Sequence, residues 1–530
     1  MPTVKDAFFD VLRDLGMTRI FSNPGSTEVD LLVDLPADIE FVLGLHEGAV
    51  VGMATGWAIG SGRPALALLH TTAGLGNAVG ALATARENRA PLVVVVGQQD
   101  RRHLAAEPFL TGQLEGLAGS YPVWTTTPVR ASDVPSLVAR AYHEARVRRG
   151  PALVVVPMDD WQVDADESRS WTAPRSMTLA SGVDEDACQE LATALDRASS
   201  PVVVAGARAD DSRCWAALTR LAERLRLPVW QEAFGARAGF PQTSAHFAGH
   251  LPANRSDVRA ALAEHDFVLV VGAPSLRQYR YEPGPFFGDG VEVAVVSDDP
   301  ADLTHSTADL AIVTPLGGFL DRLADLVGER PSGTAVLPET QPLRTRWRPG
   351  ETLLAQHVFG ALAERLAPET ILVEESPSTR LDLQKHVPAS RPLGFLSAAM
   401  GGLGFAFPAA IGVKMAQPHR PVVAVVGDGS SLYGIQALWS AQRYGLGVLF
   451  VVLSNGGYAI MNHLAQEAGG KAPWPDFADV NVAGLATALG CPAKRVTSYE
   501  EMVCELDALP PGLAELSDPF VLDVVVGTSA

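Results

Sequence analysis

Short apolar runs alternate with longer stretches of helical spacing along almost the whole chain. TRIFS (18–22), FVLGL (41–45), PALALLH (64–70), PLVVVVG (91–97) and PALVVVPM (151–158) form a first series. PVVVAG (201–206), PVW (228–230), FVLVVGA (267–273), VEVAVVS (291–297) and LAIVT (310–314) form a second. TILVEE (370–375), PVVAVVG (421–427), VLFVVLSN (448–455) and PFVLDVVV (519–526) form a third. Continuously apolar strands are buried on both faces, which requires a parallel sheet covered by helices. The predicted class is α/β, with three doubly wound units.

Two polar, proline-containing stretches, 160–176 and 329–351, separate the series and read as linkers. They predict an N-terminal domain at 1–170, a central domain at 180–330 and a C-terminal domain at 350–530. A length of 530 residues agrees with several cores. Residues 1–17, MPTVKDAFFDVLRDLGM, carry charges through their apolar positions and predict an amphipathic helix, not a signal peptide. No apolar stretch approaches the roughly 20 residues a membrane helix needs.

Charge narrows the partners. A formal net charge of −19 repels phosphate backbones, and no Lys/Arg-rich run offsets it, so nucleic acid is excluded as a partner. Four dispersed cysteines without a CxxC pair fit a reducing compartment, and the expected location is cytoplasmic.

The chemistry begins at GDGSS, 427–431, at the end of an apolar strand. In parallel sheets, ligands sit at the carboxyl ends of strands. The following SSLYGIQALWSAQRYG has helical spacing, which predicts a helix N-terminus favouring an anion at the same spot. The next strand closes on Ser454, Asn455, Gly456 and Gly457, one strand–helix–strand length later. A carboxylate, an amide oxygen and a glycine carbonyl make a hard-oxygen set suited to Mg²⁺ when phosphate and water complete it. Taken alone, GDG reads first as an acid that caps a helix after a tight turn.

GDGSSLYGIQALWSAQRYGLGVLFVVLSNGGY resembles the thiamine diphosphate motif, with Ser454 where the first residue of the closing Asn pair is usual. The resemblance implies that Asp428, Asn455 and the Gly457 carbonyl hold the Mg²⁺ that clamps the cofactor's diphosphate. It adds Gly429, Ser430, Ser378 and Tyr458 to the cofactor-binding set. FSNPGSTEVDLL, GLHEGAVVGMATGWA, LLHTTAGLGNAVGAL and AAMGGLGFAFPAAIGV extend it to the thiamine diphosphate-dependent 2-oxo acid decarboxylases, most closely those acting on benzoylformate. The three domains then read as pyrimidine-binding, middle and diphosphate-binding. By the same match Glu47 activates the aminopyrimidine ring, in an apolar slot that raises its pKa. Ser26 contacts the substrate carboxylate, His70 serves as acid/base, Leu403 bends the cofactor and the Gly401 carbonyl accepts from its amino group. Without the match, Glu47 is a helix-start acid, Ser26 a turn residue, His70 a satisfied core histidine and Leu403 a core leucine.

The resemblance is incomplete on the substrate side. Tyr279 stands where those decarboxylases carry a second active-site histidine, and a phenol titrating near 10 does not relay protons as imidazole does. Ser397 and Leu464 replace aromatic positions, beside Ile460 and Met461. The implied reaction is decarboxylation of a small-molecule 2-oxo acid to an aldehyde and CO₂. A carboligase of the acetolactate synthase or benzaldehyde lyase kind is one alternative, and a catalytically silent cofactor-binding homologue another. Glu47 and Asp428 fall in separate domains, so the resemblance implies sites shared between subunits: a homodimer at least, with a homotetramer expected.

Overall fold

The computed structural model describes residues 2–165, 173–174, 176–179, 182–331, 343 and 345–528. Its strands form three six-stranded parallel sheets. The first contains β1 (Arg19–Asn23), β2 (Glu40–Leu43), β3 (Ala65–His70), β4 (Leu92–Gln98), β5 (Trp124–Thr126) and β6 (Pro151–Pro157), in the order β2-β1-β3-β4-β6-β5. The second contains β7 (Pro201–Ala205), β8 (Val229–Gln231), β9 (Phe247–His250), β10 (Phe267–Val271), β11 (Glu292–Ser297) and β12 (Leu310–Val313), ordered β12-β11-β10-β7-β8-β9. The third contains β13 (Ile371–Glu375), β14 (Phe395–Ser397), β15 (Val422–Gly427), β16 (Val448–Ser454), β17 (Ala493–Val496) and β18 (Phe520–Val525), ordered β14-β13-β15-β16-β18-β17. The first and third sheets therefore share one topology, and each reverses direction beside its first strand. Clefts for ligands open at such reversals, outside the carboxyl ends of the strands.

The apolar runs form the buried centres of these sheets. Val93–Val96 and Val422–Val426 are almost wholly inaccessible, because helices cover both faces. Four strands not foreseen from the sequence, β5, β9, β14 and β17, are all sheet edges of three or four residues. An edge strand pairs on one side only, so a long apolar run is not needed to form it. The amphipathic N-terminus forms the helix Val4–Leu15, opened by a Thr3–Asp6 capping box and burying Phe8, Phe9 and Leu12. Residues 160–164 are ordered, not linker: Met158–Gln162 is a short helix in which the buried Asp160 pairs with Arg101 at 2.7 Å. Parts of the predicted linkers, residues 166–172, 175, 332–342 and 344, lie outside the described residues.

The first and third units pack through two helices rich in small residues, Glu47–Ser61 and Ala406–Ala416. Gly52 faces the Pro408 ring, Gly56 the Ala409 backbone and Gly60 the Ala416 methyl, so the helices lie side by side with their N-termini at the same end. A β-carbon on Gly56 or Gly412 would stand about 2 Å from main chain of the other helix, and only glycine permits that approach. Glu47 and the 401–404 loop thus occupy the same end of one rigid helix pair. Among the described residues no helix is long and apolar enough to cross a membrane.

Candidate active site

Two groups of polar side chains gather at carboxyl ends of strands. The first lies on the N-terminal sheet, where β1 and β3 are neighbours with Asn23 beside Leu69. Glu47 opens its helix one residue after the N-cap His46, whose Nδ1 accepts from the Gly48 N–H at 3.0 Å. Its carboxylate is buried and receives Nδ2–H from Asn23 at 3.1 Å on one oxygen and from Asn77 at 3.0 Å on the other. The slot is therefore more polar than an apolar pocket.

His70 ends β3. Its Nδ1 lies 2.9 Å from Thr27 Oγ1 and 3.1 Å from Glu28 Oε2. Glu28 is buried, and desolvation pushes its carboxyl above the usual range against the pull of Thr27, the Gly25 N–H and His70. Space for this arrangement is made by glycines: a β-carbon at Gly97, which pairs with His70 in the sheet, would stand 1.9 Å from Glu28 Oε1. One at Gly25 would stand 2.3 Å from the His70 ring. Ser26 is exposed at the start of the short helix that carries Thr27 and Glu28.

The second group lies on the C-terminal sheet. β15 and β16 are adjacent and parallel, with Gly427 opposite Leu453, so Asp428 and Asn455 emerge side by side. Asp428 Oδ1 accepts from the Gly429 N–H at 2.8 Å and Oδ2 from the Gly456 N–H at 2.7 Å, while Asn455 Oδ1 accepts from the Gly457 N–H at 3.0 Å. Burial raises the Asp428 pKa. No cation partners this carboxylate among the described residues, and no cluster of three His, Cys, Asp or Glu there makes a metal site by itself. A hard-oxygen ion completed by phosphate and water suits that donor set, since it would compensate the buried charge. Behind the loop, Ser454 Oγ donates to the fully buried Asp523 at 2.5 Å, and Arg495 reaches the same carboxylate at 3.0 Å. Serine in the usual asparagine position therefore braces the loop from behind.

The helix expected after Asp428 is interrupted. Asp428–Ser431 forms a single turn, and the chain becomes regular again only at Ala437–Arg443. Ser431 Oγ bonds back to the Asp428 carbonyl at 2.6 Å, and Gly434 lies close against the Gly404 carbonyl, which would stand 3.1 Å from a β-carbon there. Gly429 and Ser430 lie in this buried turn, with Gly429 against the Tyr458 ring.

Around this group, Gly401 takes φ 71° and Leu403 is 38% exposed, which a core leucine would not be. Ser378 Oγ accepts from the Ile460 N–H at 3.2 Å, joining the end of β13 to the helix Ala459–Glu467 that carries Met461 and Leu464. Ile460 and Met461 are exposed, and Leu464 is half-buried. Ser397 is buried at the end of β14. Tyr279 is 66% exposed on the loop after β10, between Arg277, paired with Glu232 at 3.1 Å, and Arg280, paired with Glu467 at 2.7 Å.

Sequence reasoning did not single out Glu28, Asn23, Asn77 or Asp523. Glu28 had a signal, since an acid three residues after Gly25 closes a capping pattern at a helix start. Asn77 had none, because its partner lies 30 positions away.

Three regions match known domains: residues 2–118 the thiamine pyrophosphate enzyme N-terminal TPP binding domain, 188–323 the central domain and 378–524 the C-terminal TPP binding domain. The chain is 37% identical to a benzoylformate decarboxylase of Pseudomonas aeruginosa, over 95% of each chain. It is 28% identical to acetolactate synthase isozyme 3 large subunit of Escherichia coli, covering 84% of this chain and 80% of that protein. A thiamine diphosphate-dependent 4-hydroxybenzoylformate decarboxylase of Rhodococcus jostii superposes with a TM-score of 0.94 at 33% identity, over 99% of both chains.

Proposed function

The chain belongs to the thiamine pyrophosphate enzyme family, and from that premise we propose that it is a Mg²⁺-dependent decarboxylase converting a 2-oxo acid of the benzoylformate type to an aldehyde and CO₂. The observation that supports this reading is the placement of Asp428 and Asn455 side by side beyond β15 and β16, with a buried carboxylate that no cationic side chain partners among the described residues. Thiamine diphosphate, when bound, supplies the nucleophilic carbon and the electron sink for loss of CO₂.

The chain's own residues do the rest. Asp428, Asn455 and the Gly457 carbonyl hold the metal; Gly429, Ser430, Ser378 and Tyr458 line the diphosphate side. Glu47, held by two amides, hydrogen-bonds the cofactor's ring, with Leu403 and the Gly401 carbonyl setting its shape. His70, backed by Glu28, moves protons at the reacting centre, and Ser26 orients the substrate carboxylate. Ser397, Ile460, Met461, Leu464 and Tyr279 surround the distal part of the substrate. The domains run over 1–170, 180–330 and 350–530, and the working unit is a cytoplasmic homodimer or homotetramer in which two subunits complete each site.

A panel of benzoylformate, 4-hydroxybenzoylformate, phenylpyruvate and branched aliphatic 2-oxo acids, with thiamine diphosphate and Mg²⁺, tests the reading. The expected result is CO₂ and aldehyde from the aryl substrates, lost in Glu47→Gln while cofactor binding persists. A 2-hydroxy ketone as the main product would instead favour the carboligase reading, and no turnover with bound cofactor the silent one.

A further inference from the structure

The carboxyl end of β13 carries two acids in succession, and strand alternation turns them to opposite faces. Glu374 faces Arg380, 3.5 Å away. Glu375 has no such cation among the described residues. It is 5% exposed, and its carboxylate accepts three backbone N–H bonds, from Gly404 at 2.6 Å and from Phe405 and Ala406 at 2.7 Å each. Those donors lead into the helix Ala406–Ala416, whose N-cap is Phe405 and whose first residue is Ala406, and which has no side-chain cap of its own. A carboxylate 29 to 31 residues away in sequence supplies the cap instead.

This contact sits where the site is assembled. Gly401 and Gly404 both take positive φ, 71° and 88°, and between them the chain presents Leu403 outward. Such a turn has few anchors, and Glu375 grips its C-terminal end. The same helix is the one packed without gap against the Glu47 helix. Burial lifts the Glu375 carboxyl to about 7 despite three N–H donors, so a group expensive to bury is kept where an apolar residue would fill the space.

We propose that Glu375 is a positioning residue for cofactor binding, fixing the 401–404 loop so that Leu403 and the Gly401 carbonyl meet the thiamine diphosphate in one geometry. The inference rests on the function proposed above. Glutamine at 375 keeps the volume but turns an amide N–H₂ toward backbone donors, so at most one oxygen still accepts.

The test titrates thiamine diphosphate with Mg²⁺ into the full-length protein by calorimetry and follows the near-ultraviolet circular dichroism of the bound cofactor. It compares wild type, Glu375→Gln, Leu403→Ala and the double variant. The expected result is about tenfold weaker binding and an altered dichroic signal in Glu375→Gln, with the double variant no weaker than the worse single one, because both changes act through the same loop. Unchanged affinity and signal in Glu375→Gln, or additive effects in the double variant, overturns the proposal. Where Glu375→Gln fails to fold, Glu375→Asp, which keeps the charge and withdraws it by one methylene, takes its place in the same cycle under the same criteria. A wild type that binds no thiamine diphosphate overturns the proposed function itself, and this inference with it.

Discussion

Glu28 Oε2 lies 3.1 Å from His70 Nδ1, inside the carboxyl edge of the N-terminal sheet, and Thr27 Oγ1 lies 2.9 Å from the same nitrogen. With Nδ1–H directed at this pair, Nε2 is the nitrogen left to accept or deliver a proton. The carboxylate fixes the tautomer, as a base-orienting acid does in other proton-transfer sites. Replacing Glu28 by Gln keeps the shape and removes the charge. The loss of a charge-assisted hydrogen bond is worth about 1.5–3 kcal/mol, or roughly 10- to 100-fold in kcat. Steady-state kinetics on the decarboxylation of benzoylformate, alongside cofactor titration, check this: kcat falls, its pH profile moves, and thiamine diphosphate affinity holds. A wild-type kcat and pH profile in Glu28→Gln would show that Glu28 does not orient His70.

Asp428 is a buried carboxylate whose pKa is raised by desolvation and whose two oxygens each already accept one N–H. An added cation completes that environment. Asp428→Ala is expected to weaken thiamine diphosphate binding at least about 100-fold, the order of 3 kcal/mol lost when a buried charge is left without its partner. Chelation of divalent metal from the wild-type protein should have the same effect, reversed by Mg²⁺. Calorimetric titration before and after chelator treatment makes the comparison, and tight binding without metal would contradict the assignment of Asp428 and Asn455.

How far the sequence carried depended on whether a residue's partner is local or distant. The central strands were legible because burial on both faces demands unbroken apolar runs such as Val93–Val96. β5 and β17 were not, since Trp124–Thr126 and Ala493–Val496 pair on one side and stay partly exposed. Asp428 and Asn455 were legible because one strand–helix–strand unit places its two strand ends together whatever fills it. Glu375 was not, because its three partners begin 29 residues later and the turn between them has no periodicity. The break after Ser431 was likewise hidden, because the contact of Gly434 with Gly404 spans 30 positions.

His250 supplies a pH test of stability away from the site. It ends β9 with Nε2 3.2 Å from Gln242 Nε2, and Gln242 in turn bonds the Ala389 main chain of the C-terminal unit through both its backbone and its side chain. Burial, with Arg380 and Lys385 nearby, holds the imidazole pKa down to about 3. Unfolded, the same group protonates near 6.5. Its contribution is therefore fully present above pH 6.5 and is lost as pH falls toward 3, because only the unfolded chain takes up the proton in that window. The loss is on the order of 4 kcal/mol at the acid end. Denaturant midpoints of wild type and His250→Asn should converge or cross as pH drops from 7 to 4, and parallel curves would show that the imidazole titrates normally in the fold.

Gly97 offers the most local test of the His70 arrangement, since it changes no polar group. It lies opposite His70 in the β3–β4 pairing, and a β-carbon there would stand 1.9 Å from Glu28 Oε1 and 2.4 Å from Thr27 Oγ1. Neither can retreat freely: Glu28 is tied to the Gly25 N–H at 2.8 Å, and Thr27 is wholly buried. Gly97→Ala therefore displaces the carboxylate from His70 or shifts the strand, at a cost of about 1–3 kcal/mol for overpacking. Thermal unfolding should record that loss, and kcat should fall toward the Glu28→Gln value. Cofactor affinity should stay near wild type, because the metal loop stands on a different sheet. If Gly97→Ala destabilised the protein yet left kcat untouched, Glu28 would be structural support for the sheet edge and not the group that orients His70.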